Sequence, residues 1–387
     1  MKLCPSSLYP HARLGDCGEI ITGSTPSKSN AKFWGSEIPF VTPAQLGFEK
    51  PVTTAVEFVT NEGAARGRLL PEGAVLVCCI GSLGKTGVAG TPLISNQQIN
   101  SIVFNTAKVD ARYGYHTARN LTPLLELYAP STTVKIVKKS AFANIEIPLP
   151  PLAEQKRIAG ILDVADALRA KRRESIAQLD SLLQSTFVDM FGDPVTNPMG
   201  WEECTVGEVT DCIVPGRDKP KSFTGSTPWI TTDDLVYLGY TTHSPKNIGL
   251  SPDEIKEVRA RVIPEGSVII SCVGDLGVSS IAGCNIVVNQ QLHAFQCEDR
   301  LNPEFLAFCL PFRKPWMRRR ATKTTLPYLN KTNCNSIPIF VPPLELQGRF
   351  AAIVKSVEEQ KVFYHAHLAE LDTLFASLQS RAFSGEL

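Results

Sequence analysis

The sequence predicts a mixed α/β protein built as an internal repeat, with two similar globular domains that are each followed by one long helix. Three observations predict this fold class. Residues 148–193 and 341–387 align at a constant offset of 192, and each begins at a Pro-Pro pair and then contains no further helix-breaking Pro until its end. The stretches that precede them also align with each other. Within those stretches, runs rich in Val and Ile alternate with helical segments.

The two long helices carry an apolar seam. Pro150-Pro151-Leu152 aligns with Pro342-Pro343-Leu344, and Gln155 aligns with Gln347. Apolar residues recur at spacings of three and four over four to five heptads, which is typical of a coiled coil. The predicted seam is Ile158, Ile161, Ala165, Leu168, Arg172, Ile176, Leu179 and Leu183, aligned with Phe350, Ile353, Val357, Gln360, Tyr364, Leu368, Leu371 and Phe375.

The repeat extends through the globular domains. Residues 69–104 match residues 262–297 at offset 193, and residues 38–46 match residues 227–235 at offset 189. In both copies a Pro-Glu-Gly motif precedes an apolar run, a Gly-containing turn and a second apolar run, which predicts strand, turn, strand.

The order of these parts predicts the architecture. A first domain at residues 1–150 and a helix at 151–191 are followed by a second domain at 192–341 and a helix at 342–387. If the helices pair, they must be antiparallel, because the second helix leaves the second domain and has to run back towards the first. A pseudo-twofold axis through the coiled coil follows from this arrangement.

Length, composition and net charge limit the classes of protein to which the chain can belong. A chain of 387 residues with 43% hydrophobic residues is long enough for two or more domains, and a net charge of +1 provides no global field towards nucleic acid. The eleven cysteines include no Cys-x-x-Cys pair, so we expect reduced thiols and no metal site. No apolar run approaches the length of a membrane span, so a cytoplasmic protein without membrane association is expected.

Local basic segments favour nucleic-acid binding more than the net charge does. No acidic residue lies between Glu304 and Glu345, and the acid-free span after Glu126 contains several lysines. Phosphate contacts would set affinity and register, and polar side chains in the major groove would select bases. The candidate DNA contacts are Thr42, Gln45, Lys85, Thr132, Thr133, Lys135, Lys138, Lys139, Thr231, Asp233, Arg318, Arg319, Arg320, Lys323, Thr324 and Tyr328.

A nucleotide site in the glycine turn is not supported. The segment Gly81–Gly87 has Cys79 where a Walker loop needs its first glycine, and the second copy replaces Lys85-Thr86 with Val278-Ser279. A structural turn that brings Lys85 near phosphate is the better interpretation.

Catalytic and metal-binding motifs are also missing. An adenine methyltransferase needs a loop of the form Asn-Pro-Pro-Tyr, but here leucines, Leu152 and Leu344, follow the Pro-Pro pairs. His365 and His367 lie two positions apart on a helix and therefore point to different faces. We expect a chain without catalytic residues or metal ligands.

These motifs resemble the DNA-specificity subunit of type I restriction-modification systems. The resemblance rests on PLPPLAEQKRI, on PEG before a buried strand, on NQQ after the glycine turn, on the Thr-containing segment before IPLPP and on FVDMFGDP. It covers nearly the whole chain in both copies. It implies that each domain is a target-recognition domain for one half of a bipartite site in double-stranded DNA. The helices would set the distance between the halves and bind two modification (methyltransferase) subunits.

The resemblance also implies the chemistry of the partners. Methylation would occur at adenine N6, and S-adenosylmethionine, ATP and Mg would be bound by partner subunits, with no cofactor in this chain. Restriction (motor-nuclease) subunits would join through the complex. The two domains are expected to recognise different half-sites, because aligned positions differ in sequence. Pro43-Ala44-Gln45 aligns with Thr232-Asp233-Asp234, and Lys135-Ile136 aligns with Pro327-Tyr328. The alternative is a non-catalytic scaffold that carries two ligand-binding domains on a coiled coil. It explains the repeat but not the paired basic segments.

Overall fold

The structure, a computed structural model, describes residues 2–47, 50–129, 134–216, 218–322 and 326–387. The chain divides into two compact units, of which unit 1 is Met1–Arg173 with His367–Leu387 and unit 2 is Glu174–Ala366. Each unit therefore contains one globular domain and a part of both long helices. Among the described residues, no helix is long and apolar enough to cross a membrane.

Unit 1 begins with short strands and helices. In chain order they are β1 (His11–Arg13), α1 (Leu14–Cys17), β2 (Gly18–Thr22), a 3-10 helix (Ala31–Phe33), β3 (Trp34–Gly35), β4 (Ile38–Val41), a 3-10 helix (Pro43–Gln45), β5 (Glu57–Val59), α2 (Asn61–Arg66), β6 (Val75–Cys78), β7 (Thr86–Val88), β8 (Ile94–Ser95), β9 (Ile99–Phe104), α3 (Ala111–Arg119), α4 (Thr122–Tyr128), α5 (Lys139–Ala143) and β10 (Glu146–Pro148). The long helix α6 (Leu152–Phe191) follows and continues into unit 2.

Unit 2 repeats this order with small changes. Its elements are β11 (Glu202–Thr205), a 3-10 helix (Val206–Glu208), β12 (Thr210–Ile213), β13 (Thr227–Ile230), a 3-10 helix (Thr232–Asp234), β14 (Tyr240–Thr241), β15 (Gly249–Leu250), α7 (Pro252–Glu257), β16 (Val262–Ile263), β17 (Val268–Ser271), β18 (Ser279–Ala282), β19 (Ile286–Val288), β20 (Leu292–Cys297), α8 (Pro303–Cys309), a 3-10 helix (Leu310–Arg313), α9 (Lys314–Arg320), α10 (Lys331–Asn335) and β21 (Pro338–Val341). The second long helix is α11 (Leu344–Ser384).

The predicted strand, turn and strand are present in both copies. β6 pairs antiparallel with β7 in a sheet of order β2-β9-β6-β7, and β17 pairs antiparallel with β18 in a sheet of order β12-β20-β17-β18-β14. A second sheet in each unit has the order β3-β5-β4-β8 or β15-β13-β19-β16. These pairings confirm a mixed α/β fold with an internal repeat.

A buried glutamine fixes the start of each long helix to its domain. The side-chain oxygen of Gln155 accepts from the backbone N–H of Asp110 at 2.8 Å, and its amide nitrogen donates to the carbonyl oxygens of Lys108 and Pro150 at 2.9 and 2.8 Å. Gln347 makes the equivalent three bonds to Asn302, Arg300 and Pro342 in unit 2. The repeated Gln is thus explained by three buried backbone groups that need partners.

The long helices are antiparallel within each unit, as predicted. In unit 1, Arg157 of α6 contacts Leu387 while Arg169 contacts Asp372 of α11. In unit 2, Asp180 of α6 contacts Lys361 of α11.

The end of each long helix packs on the domain of the other copy. Phe191, the last residue of α6, lies 4.9 Å from Phe305 in unit 2, measured between ring centroids. Phe383, near the end of α11, lies 5.8 Å from Tyr113 in unit 1. Because the two pairs occupy equivalent positions in the repeat, each unit is completed by a helix end from the other half of the sequence.

At four positions of the predicted seam, the adjacent residue is more buried than the predicted one. Leu168 and Ile353 are 47% and 36% exposed, Gln360 is exposed and Ile161 is only half-buried. The neighbouring residues lie inside instead, namely Leu162, Arg169, Val354 and Lys361. The remaining predicted positions are buried at Ile158, Ala165, Ile176, Leu183, Phe350, Val357 and Phe375 and half-buried at Arg172, Leu179, Tyr364, Leu368 and Leu371.

The error arose from selecting the more apolar of two adjacent residues. A regular alternation of four and three from Ile158 passes through Leu162, Ala165 and Arg169, and so places charged groups on the inner face. Lys361 is compatible with burial because its ammonium bonds Asp180 and Glu358 at 2.8 and 2.7 Å. Burial lowers the pKa of Lys361, but these two carboxylates outweigh it and hold the pKa above its usual value.

Candidate nucleic-acid interface

In unit 1, four segments that are distant in sequence meet at the glycine turn between β6 and β7. The N–H of Gly81 donates to the carbonyl of Lys135 at 2.9 Å, and the N–H of Val137 donates to the carbonyl of Cys79 at 2.8 Å. The segment that follows the predicted Thr pair is thereby attached to the turn.

Two further hydrogen bonds bring in the NQQ motif and the loop after β4. The N–H of Cys79 donates to the carbonyl of Gln98 at 2.8 Å, and the N–H of Asn96 donates to the carbonyl of Val41 at 3.0 Å. We call the assembled set, residues 42–45, 80–86, 96–98 and 134–137, the turn cluster of unit 1.

Unit 2 builds the same set with the same bonds. Gly274 bonds Pro327 at 3.0 Å and Leu329 bonds Cys272 at 2.9 Å, while Cys272 bonds Gln291 at 2.8 Å. Asn289 bonds Ile230 at 3.0 Å. The turn cluster of unit 2 therefore comprises residues 231–234, 273–279, 289–291 and 326–329.

Glycines permit the shape of the turn. Gly81 and Gly84 have φ of +80° and +79°, and Gly274 and Gly277 have φ of +76° and +77°. A Cβ on Gly84 would lie 2.0 Å from Oγ1 of Thr122, the first residue of α4, so this helix packs directly on the turn. In unit 2, α9 packs on the turn in the same way.

The threonines Thr42 and Thr231, predicted as DNA contacts, shape the loop instead of presenting their hydroxyl protons. The N–H and the hydroxyl of Thr42 both donate to Oε1 of Gln45 at 2.9 Å. Those of Thr231 donate to Oδ2 of Asp234 at 2.8 and 2.7 Å. The bonds from Thr42 use only the side-chain oxygen of Gln45, so its amide N–H groups remain available as donors. In unit 2, Asp233 of the same loop is exposed.

The predicted basic residues lie on or beside the turn clusters. Lys85 is exposed in the turn, Lys135 is exposed and pairs with Glu126 at 3.2 Å, and Lys138 and Lys139 are exposed at the start of α5. The predicted contacts Thr132, Thr133, Lys323 and Thr324 lie outside the described residues.

In unit 2 the basic residues are on α9. Arg318, Arg319 and Arg320 are exposed in its last turn, and Arg318 lies 3.9 Å from Asp275 of the turn. Arg320 lies over Trp316, with 5.4 Å from its guanidinium carbon to the ring centroid. Tyr328 is 38% exposed and pairs with Val273 of the turn.

The two basic groups are not equivalent, which corrects the interpretation from the acid-free spans. α4 has Glu126, Leu127 and Tyr128 at the positions where α9 has its three arginines. Only Lys139 and Lys331, the first residues of α5 and α10, correspond. The absence of acidic residues from a segment describes only its sequence. Phosphate contact depends on which face of the folded helix carries the basic side chains.

A cationic cleft beside the turn cluster of unit 1 was not predicted. It has a volume of about 840 Å³, and its lining includes Gln45, Lys50, Arg119, Arg169 and Arg173. None of the described lining residues is acidic. Arg169 is oriented by Asp166 at 2.7 Å and by Asp372 at 2.6 Å. Sequence reasoning missed this cleft because its cations come from α3, α6 and the segment after β4, which are distant in sequence.

Comparison with known proteins identifies the family. The family model of the type I restriction modification DNA specificity domain matches the chain twice, at residues 9–179 and 198–371. The chain belongs to this family. Its members' names describe specificity subunits of type I restriction-modification systems, and this chain is such a specificity subunit.

Relatives of the family match nearly the whole chain. The specificity subunit of the type I restriction enzyme MjaIX from Methanocaldococcus jannaschii is 23% identical over 404 residues, which cover 97% of this chain and 92% of that protein. The crystal structure of a type I restriction-modification S subunit from M. genitalium matches with a TM-score of 0.58 at 15% identity, over 99% and 98% of the two chains.

A further solved structure, described for complex assembly and conformational transition of the type I restriction-modification system, matches with a TM-score of 0.54 at 21% identity over 98% of both chains. At these identities the two structures show the shared fold. The fold predicted from the sequence is therefore the fold of the family.

Proposed function

We propose that this specificity subunit recognises a bipartite, asymmetric site in double-stranded DNA and directs methylation of adenine N6, and restriction, by partner subunits. The chain itself is not catalytic. Two methyltransferase subunits bind S-adenosylmethionine and carry out the transfer, and motor-nuclease subunits, with ATP and Mg, join through the complex. The complex acts in the cytoplasm, and the long helices set the unrecognised spacer between the two half-sites.

One observation carries the proposal: the two turn clusters share their backbone hydrogen bonds but expose different side chains. The loop after the first strand of this set carries Gln45 in unit 1 and the exposed Asp233 in unit 2, and Lys135-Ile136 in unit 1 aligns with Pro327-Tyr328 in unit 2. An amide can donate to adenine or guanine edges, whereas a carboxylate accepts from the amino group of cytosine. A common scaffold with different polar groups supports recognition of two different half-sites.

The distribution of cations supports contact with phosphates on both clusters. Lys85, Lys138 and Lys139 in unit 1 and the arginines of α9 in unit 2 are exposed, and they lie on or beside the turn clusters. The cleft beside Gln45 adds Lys50 and Arg173. Phosphate contacts of this kind fix the orientation of a duplex so that base contacts can select its sequence.

Transfer of labelled methyl groups to duplex DNA tests the proposal. The rigorously purified chain, the methyltransferase subunit of the same system and their mixture are each incubated with labelled S-adenosylmethionine. We expect sequence-specific incorporation only in the mixture. Incorporation by the chain alone would contradict a non-catalytic role, and a mixture that transfers no methyl groups to DNA would favour the scaffold.

A further inference from the structure

Three side chains of metal-ligand type meet in the core of unit 2. Cys272 directly follows β17, His293 lies in β20 and Cys334 lies in α10. The two sulfurs are 3.5 Å apart, and Nδ1 of His293 is 3.3 Å from Sγ of Cys334. The three donor atoms lie within 4.8 Å of one another, and all three residues are at most 1% exposed. We call this set the Cys-His cluster.

These distances match those between the ligands of one zinc ion. With Zn–S of about 2.3 Å and Zn–N of about 2.0 Å in tetrahedral geometry, two sulfurs lie about 3.8 Å apart and a sulfur and a nitrogen about 3.5 Å apart. The two separations of 3.5 and 3.3 Å that involve Cys334 are therefore within a few tenths of an ångström of the values for a bound ion.

A fourth thiol is close by. Cys212 in β12 is 2% exposed, and it pairs with Phe295 of β20, two residues along the strand from His293. Three cysteines and one histidine form a common ligand set of structural zinc sites.

The repeat provides an internal comparison. At the positions of the Cys-His cluster, unit 1 has Cys79, Asn100 and the fully buried Phe142. The same fold is thus built there with an amide in place of His293 and an aromatic ring in place of Cys334, so the fold does not require an imidazole or a second thiol at this place. His293 and Cys334 are therefore specific to unit 2, whereas the cysteine at position 272 is shared with unit 1.

We propose that unit 2 binds one structural metal ion of the zinc class through Cys272, His293 and Cys334, with Cys212 as the fourth ligand once its thiol moves towards the other three. The ion lies behind the turn cluster of unit 2, because the backbone of Cys272 bonds both Gln291 and Leu329. It joins β17, β20 and α10, the elements that carry this cluster. Because the ligands are buried and come from separate elements, the metal ion binds as the chain folds.

The expected role is stabilisation of one recognition surface and not of the other. This goes beyond DNA recognition and does not depend on it, since metal binding is measurable on the chain alone. A chelator that removes the ion should lower the melting temperature of unit 2 while unit 1 keeps its own.

Metal content of the full-length chain tests the proposal. The protein, produced with zinc and purified under reducing conditions, should contain one zinc ion per chain by elemental mass spectrometry. Cys272→Ser and Cys334→Ser should abolish binding, whereas Cys309→Ser, which removes a buried thiol of the same unit outside the cluster, should retain it.

Cobalt substitution makes the test independent of variant folding. The wild-type chain refolded with Co²⁺ should show the visible bands of tetrahedral cobalt and a near-ultraviolet sulfur-to-cobalt band. His293→Asn, which introduces the residue of unit 1, should weaken them. A wild-type chain that binds neither ion after refolding, metal content unchanged in both cysteine variants, or a Cys272–Cys334 disulfide in the purified chain would overturn the proposal.

Discussion

Arg169 of α6 donates from Nε to Oδ1 of Asp372 of α11 at 2.6 Å, and its guanidinium carbon lies 4.4 Å from the centroid of the Phe375 ring. Only 14% of the Arg169 side chain is exposed. The helix pairing in unit 1 thus uses a charged residue at an inner position. Its methylene stem covers apolar surface and its charge is paired across the helices.

This pairing predicts which leucine of α6 stabilises unit 1. Leu162 is fully buried, so Leu162→Ala should lower the free energy of unfolding by about 2–4 kcal/mol. Leu168 is 47% exposed, so Leu168→Ala should change it by less than about 0.5 kcal/mol. Urea unfolding of the isolated chain, followed by circular dichroism, measures both. A larger loss for Leu168→Ala would restore the seam predicted from the sequence.

Replacing the buried glutamine at the start of a long helix by an apolar residue of similar size should strongly destabilise the protein. Gln155→Leu leaves the N–H of Asp110 and two carbonyls without their partner, which should destabilise unit 1 by about 2–4 kcal/mol. The control Gln178→Leu changes an exposed position of the same helix and should have an effect below about 0.5 kcal/mol. Equal effects of the two variants in thermal unfolding would refute the anchoring role.

Glu154 predicts part of the acid sensitivity of unit 1. Hydrogen bonds from Arg157 and Tyr9 lower its pKa to about 2 from the ordinary 4.5. Because the folded-state pKa is below the unfolded value, the stabilisation is complete above pH 4.5 and is lost as the pH falls towards 2. Glu154→Gln should therefore flatten the decline in melting temperature across this interval. An unchanged profile would show that these bonds do not affect stability.

The repeat, the fold class and the two long helices could be predicted because they depend on local patterns: Pro-Pro starts, heptad spacing and the Gly turn. The turn clusters could not. The bond between Gly81 and Lys135 joins segments more than fifty residues apart, and no periodicity indicates it. The Cys-His cluster was missed for the same reason, since Cys272, His293 and Cys334 come from three separate elements.

The arginines of α9 predict the salt dependence of DNA binding by the complex with the methyltransferase. Each phosphate contact contributes about 0.9 to the slope of log affinity against log salt concentration. Neutralising Arg319 and Arg320 to Gln should therefore reduce the slope without changing the preferred sequence. Fluorescence anisotropy at several salt concentrations measures it. The matched control neutralises Lys246 and Lys256, exposed residues on other segments of unit 2, and should leave the slope unchanged.

An unchanged slope in the arginine variant would remove α9 from the phosphate contacts. A changed sequence preference would instead assign Arg319 or Arg320 to base recognition, where an arginine bonds guanine in the major groove.

Exchange of residues 1–150 for the recognition domain of another specificity subunit, followed by methylome sequencing of a strain that carries the chimera, tests the central claim most directly. Because each turn cluster is built within its own unit, we predict a new sequence in one half of the methylated site and the original sequence in the other half. The chimera keeps both long helices, so the spacer should also be retained. A methylated site that changes in both halves, or in neither, would contradict recognition of separate half-sites by the two domains.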